Sequence, residues 1–202
     1  MPRANDLIQK LSQPVDEHAF FTKDVYGLIE QDPREALTVL EHAEAKKLST
    51  PHILTARIHA HIALRDAPAA WNAFHGYLNA CRAAGGFDAE PPFESLKLFF
   101  EEVNERKWAI EVREIAAMEC GQLLGRVIGE PDTRELMDVN AQLDAAMVGP
   151  VTDQAEVART CALKACVLQK LGQKAEALKF WKKAKDAEPE VAEFWRTNSL
   201  LA

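Results

Sequence analysis

The sequence predicts an all-α fold, a solenoid of stacked antiparallel helix pairs with about nine or ten helices. Three observations predict it. Apolar residues recur at helical spacing almost throughout, and no stretch shows the strict alternation of a half-buried strand. A nine-residue pattern returns along the chain: Glu35-Ala36-Leu37-x-x-Leu40-x-x-Ala43 reappears as Glu176-Ala177-Leu178-x-x-Trp181-x-x-Ala184, and more loosely as Ala69-Ala70-Trp71-x-x-Phe74-x-x-Tyr77. Ala36 and Ala70 stand 34 residues apart, the period of one helix-turn-helix repeat unit.

The elements follow in order. A short N-terminal helix is expected over 4–12, then a pair over 15–31 and 33–48. Asp32-Pro33-Arg34-Glu35 writes the second start of that pair: a carboxylate cap, a proline at the first helical position, and a Glu able to reach back to the cap amide. Thr50-Pro51 repeats the cap-then-proline device and opens a second pair over 51–65 and 68–84. Gly85 to Pro92 is the longest non-helical segment, and we expect an inserted loop there. Helices over 93–105 and 107–128 come next. Asp132-Thr-Arg-Glu135 and Asp153-Gln-Ala-Glu156 are capping boxes for helices over 133–147 and 154–171. A helix over 173–187 completes the body, and a last one over about 190–201 closes the chain. The repeat-like pairs are thus 15–50, 51–84 and 154–189, within a single domain spanning 1–202. The stretch 85–150 is a diverged or inserted region, and 190–202 is a C-terminal cap.

Bulk properties narrow the function. A chain of 202 residues can bury roughly 70% of its unfolded surface, enough for a core without metal or disulfide staples. The net charge of −7 disfavours a nucleic-acid partner, which calls for a basic excess. Cys81, Cys120, Cys161 and Cys166 are scattered, with no Cys-x-x-Cys, as expected of buried thiols in a reducing compartment. No apolar run reaches the ~18 residues of a membrane span, and the N-terminus lacks a signal-like apolar core. The expected location is cytoplasmic.

The C-terminal unit resembles a tetratricopeptide repeat. Its second helix gives Ala177-x3-Trp181, then Ala184, then Pro189 just beyond, and Leu171-Gly172-Gln173 supplies the small turn residue. Its first helix departs from the family: Cys161 stands where Trp is preferred, Lys164 where Leu is, Ala165 in place of the packing glycine and Leu168 in place of Tyr. The unit around 18–51 matches in its second helix only. In the unit around 52–85, Tyr77 takes a place normally held by alanine, and 93–150 carries no clear match. The resemblance implies a right-handed superhelix whose first helices line a concave groove. It also implies a non-enzymatic protein-binding role as adaptor, scaffold or dedicated chaperone, with a peptide segment or protein surface as partner and no cofactor. Small residues would let backbones approach, and Trp181 would fill the hole between pairs, so that Trp181→Ala costs roughly 3–5 kcal/mol.

On that resemblance the groove is lined by His52, Thr55, His59 and Ile62 in one unit and by Arg159, Ala162, Cys166 and Gln169 in the last. In the first unit the corresponding residues are His18, Phe21, Val25 and Leu28. Packed core is the competing reading of the same faces. These positions are mostly apolar or His, which argues against capture of a C-terminal carboxylate. His59-Ala-His61 does not make a metal pair, because residues two apart diverge by about 200° on a helix. His59 and His75 could meet across the 51–84 hairpin, but groove or surface histidines are the plainer reading. Lys179, Lys182, Lys183 and Lys185 form a basic patch that suits a solvated face, with Asp186, Glu188 and Glu190 nearby to neutralise it, or else phosphate or an acidic partner. Phe93, Leu96, Phe99, Phe100 and Trp108 make the middle aromatic-rich. They suit a core, or the pocket of a helical ligand binder or enzyme. Phe194, Trp195, Leu200 and Leu201 suit a capping helix or a homo-oligomeric contact, and with it a self-assembling protein. No Gly-rich phosphate loop, nucleophile elbow or metal-spaced His/Cys set is present.

Overall fold

Eleven helices make up the regular structure of the described residues, with no strand among them. The computed structural model describes residues 3–84, 92–120, 131–147 and 153–198. Most of the expected 85–92 loop, the far end of the helix expected over 107–128, and Leu200 and Leu201 lie outside these. The helices are α1 (Ala4–Lys10), α2 (Glu17–Ala19, Phe20–Val25 and Tyr26–Ile29 in succession), α3 (Pro33–Ala45), α4 (Thr50–Ala63), α5 (Ala67–Ala84) and α6 (Phe93–Glu102). They continue with α7 (Arg106–Cys120), α8 (Thr133–Ala146), α9 (Gln154–Lys170), α10 (Lys174–Ala187) and α11 (Pro189–Asn198). Among the described residues no helix is long and apolar enough to cross a membrane.

The written start signals act as expected in part. Asp32 caps α3 by accepting from the amides of Arg34 (3.0 Å) and Glu35 (3.1 Å). Glu35 does not close a box; its Oε2 instead accepts from the amide of Ala4 at 3.4 Å and ties α1 to α3. At α4 the residue before the helix is Ser49, which makes no side-chain cap bond, and Thr50 is already helical. Asp132 and Glu135 form the full reciprocal box of α8, at 2.8 and 3.1 Å. Asp153 caps α9 through the Ala155 amide alone, at 2.9 Å.

Within α2 the middle segment is π-helical. Phe20 and Val25 are five residues apart, close to one turn of the wider helix, and both are buried together with Phe21.

Helix ends share one device. Lys47, Arg65, Asn104 and Gly172 all have positive φ, between 57° and 77°. The residue after each donates back across the last turn: Leu48 to Ala43 O (3.2 Å), Asp66 to His61 O (2.9 Å), Glu105 to Phe100 O (2.8 Å) and Gln173 to Leu168 O (2.9 Å). This is the Schellman closure, which satisfies orphan carbonyls and turns the chain sharply.

A second device recurs at helix starts. Asp32, Asp66, Glu105, Asp132 and Gln173 each precede a helix, and each backbone carbonyl accepts from the residue four places on: Ala36, Ala70, Ala109, Leu136 and Ala177. All five of those residues are buried, at 5% exposure or less. The same first-turn bond is made by buried Leu7, Ile53, Leu96 and Ala192 to the carbonyls of Arg3, Ser49, Pro92 and Glu188.

The chain forms two compact units, Met1–Ala109 and Ile110–Ala202. In the first, α1 and α2 pack on α3, α3 on α4, and α4 on both α5 and α6. Its core joins Phe20, Phe21, Val25 and Leu28 to Val39, Leu40, Ile53 and Ala56. In the second, α9 is central and packs on α8, α10 and α11. Residues 161–168 of α9 are buried without a break. A helix covered all round has no open face left.

Candidate functional site

The faces expected to line a groove are mostly closed. Thr55 is buried, and its Oγ1 donates to Pro51 O at 2.9 Å. Cys166 is fully buried in the central helix, and burial pushes its thiol up to about 12. Neither side chain reaches a surface that a partner could meet. Phe21, Val25 and Leu28 are likewise core, so the competing reading holds for them. His52, His59 and Ile62 are half-buried and keep an edge outward, while Gln169 is exposed. His52 stacks on Phe21 (centroids 5.5 Å, 25°) and its Nδ1 lies 2.9 Å from Ser49 Oγ. His59 meets the ring of Tyr26 edge-on at 5.1 Å, and burial lowers its pKa below the usual histidine value.

His59 and His75 engage different rings. His75 packs against Trp71 at 4.4 Å. Among the described residues no group of three His, Cys, Asp or Glu is placed to hold a metal ion.

Arg159 does not face a groove. It binds Glu114, a carboxylate with no solvent exposure, through Nε (2.7 Å) and Nη2 (2.9 Å). Arg113 Nε (2.9 Å) and the indole of Trp195 (2.8 Å) complete the shell. This polar centre joins α7, α9 and α11 of the second unit. Sequence reasoning missed it because Arg159 and Trp195 lie 45 and 81 residues from Glu114. The one signal was a Glu beside Ile115 and two residues after Val112, on the apolar side of its helix. Lys164 is a second buried charge, paired with Asp144, and it lies 5.1 Å above the ring of Phe180. Lys183 caps that ring at 4.8 Å.

The aromatic middle is packed ring on ring. Trp71 and Trp108 stack nearly parallel (5.4 Å, 8°), and Phe100 meets both edge-on, at 5.8 and 5.4 Å.

Trp181 departs from expectation most. It is only partly buried. With Lys182 and Lys185 of α10 and Pro189, Ala192, Glu193 and Arg196 of α11, it lines a surface cavity of about 290 Å³. This cleft gathers a partly exposed aromatic and three cations, two of them from the basic patch.

Comparison of the chain with known protein families, with curated proteins and with solved structures finds no match.

Proposed function

We propose that the chain is a non-enzymatic protein-binding module of the tetratricopeptide-like kind, acting in the cytoplasm as an adaptor, scaffold or dedicated chaperone. The observation that carries this reading is the returning sequence pattern, whose alanines Ala36, Ala70 and Ala177 are all buried in the first turn of their helices. Repeated helix pairs built this way expose large areas of side chain on a rigid frame, which suits recognition of a peptide or protein surface. The half-open side of α4, with His52, His59 and Ile62, is the part of the expected groove that keeps access to solvent.

The test is capture from a native lysate on immobilised protein, read by mass spectrometry, with wild type beside a His59→Glu, Ile62→Glu double variant. Loss of a captured species with an unchanged circular dichroism spectrum supports the reading. Equal capture by both places binding elsewhere. A second reading, self-assembly, is favoured by the exposure of Leu98, Met137 and Leu178, at 54%, 59% and 67%. Light scattering that shows mass growing with concentration, without any partner, would select it.

A further inference from the structure

The α10–α11 cleft has the chemistry of a site in its own right. Its apolar lining is the Trp181 ring with Pro189 and Ala192, and its charged lining is Lys182, Lys185, Arg196 and Glu193. Three cations thus face one carboxylate, on a chain whose net charge is −7. That one carboxylate is already engaged, because Arg196 holds both of its oxygens at 2.9 and 2.5 Å. Lys182 makes no salt bridge with a described residue, while Lys185 adds a longer-range attraction to Glu193. The helix dipole accounts for a lysine in the last turn of α10, where Lys185 stands, but Lys182 lies a turn earlier. Leu178, one turn before Trp181 and Lys182 and 67% exposed, extends the apolar strip along the helix. A volume of about 290 Å³ sits at the small end of ligand pockets, which run from about 300 to 1,000 Å³.

We propose that this cleft binds an acidic peptide segment of a partner protein, with one apolar side chain seated on Trp181 and flanking carboxylates met by Lys182 and Lys185. The match is electrostatic and local: a basic, aromatic-lined recess on an acidic protein selects against its own surface and for an acidic strand with an apolar anchor. The site is separate from the α4 face and stands whether or not that face binds.

The test uses the full chain and a fluorescein-labelled dodecapeptide of Glu and Asp with a single central Leu. Its controls are the same peptide with Gln and Asn for the acids, and the same peptide with Gly for Leu. Anisotropy should report saturable binding of the acidic peptide that weakens at least about tenfold with either control. It should also weaken on raising the salt from ~0.05 to ~0.5 M. Lys182→Glu with Lys185→Glu should abolish binding with an unchanged thermal melt, and Trp181→Phe should weaken it less than Trp181→Ala, which should lose about tenfold. The proposal is overturned if the variants bind as wild type does, if the neutral peptide binds equally well, or if a single-stranded oligonucleotide of equal charge binds and the acidic peptide does not.

Discussion

Arg159 grips Glu114 through two bonds, Nε to Oε2 at 2.7 Å and Nη2 to Oε1 at 2.9 Å, around a carboxylate wholly withdrawn from water. Trp195 Nε1 donates to the same Oε2 at 2.8 Å, so residues of α7, α9 and α11 converge on one charge. Desolvating a carboxylate costs several kcal/mol, and fixed partners offset it only while all are in place. Removing Arg159 leaves Glu114 with Arg113 and Trp195 alone. Arg159→Met should therefore destabilise the chain by about 3 kcal/mol, and Glu114→Leu combined with Arg159→Met should recover much of that loss. Urea unfolding measures both; a double variant no better than the single one would show that the charge itself, and not its abandonment, is what stabilises.

The buried first-turn positions predict which substitutions hurt and in which direction. Ala36 and Ala109 occupy one place in two helices and are 0% and 4% exposed. Ala36→Leu and Ala109→Leu should each cost about 1–3 kcal/mol by overpacking. Leu136 holds the same place in α8, at 5% exposure, and there the reverse change should hurt: Leu136→Ala should cost about 2–4 kcal/mol through the cavity it leaves. A stable Ala109→Leu variant would show that position 109 is not close-packed.

How far the sequence carried differs by feature, for physical reasons. Helicity and most starts were legible because caps and apolar spacing are local: Asp32, Asp132 and Asp153 all cap, and Asp132 with Glu135 closes the full box. Within 85–150 the buried first-turn positions Ala109 and Leu136 carry no returning sequence pattern that would mark them. The burial of Thr55 and Cys166 was not legible for a non-local reason. Cys166 lies on a helix packed by α8, α10 and α11 together, and no pattern within α9 reveals that its far face is also covered.

Stability should fall on mild acidification because of two histidines. Burial lowers the pKa of His59; burial also lowers that of His61, where nearby Asp66 opposes the shift and Arg57 reinforces it. A histidine whose folded pKa lies below its unfolded value of about 6.5 binds more protons when unfolded. Unfolding free energy then rises with pH through that window; the contribution is fully present above ~6.5 and is lost as pH falls below it. Melting temperature should drop between pH 7.5 and 5.5, and His59→Gln with His61→Gln should flatten the drop. An unchanged slope in that variant assigns the pH dependence to other groups.

The four left-handed turn residues predict effects of opposite sign. Gly172 (φ 77°) has no atom within 4 Å of where a Cβ would sit, so Gly172→Ala meets strain in the backbone alone and should cost about 1–2 kcal/mol. Lys47, Arg65 and Asn104 hold nearly the same conformation with a side chain. Exchange to glycine removes that strain and gives back about 0.4–1 kcal/mol through the freer unfolded chain. Lys47→Gly should thus stabilise by about 0.5–1 kcal/mol. Arg65→Gly should gain slightly less, because it also loses an exposed pair with Glu102 at 2.7 Å, worth little in water. Asn104→Gly should gain least, since asparagine tolerates the left-handed region best. Thermal melts rank the four variants, and a lowered melt for Lys47→Gly would mean that its side chain, and not the turn, is what position 47 requires.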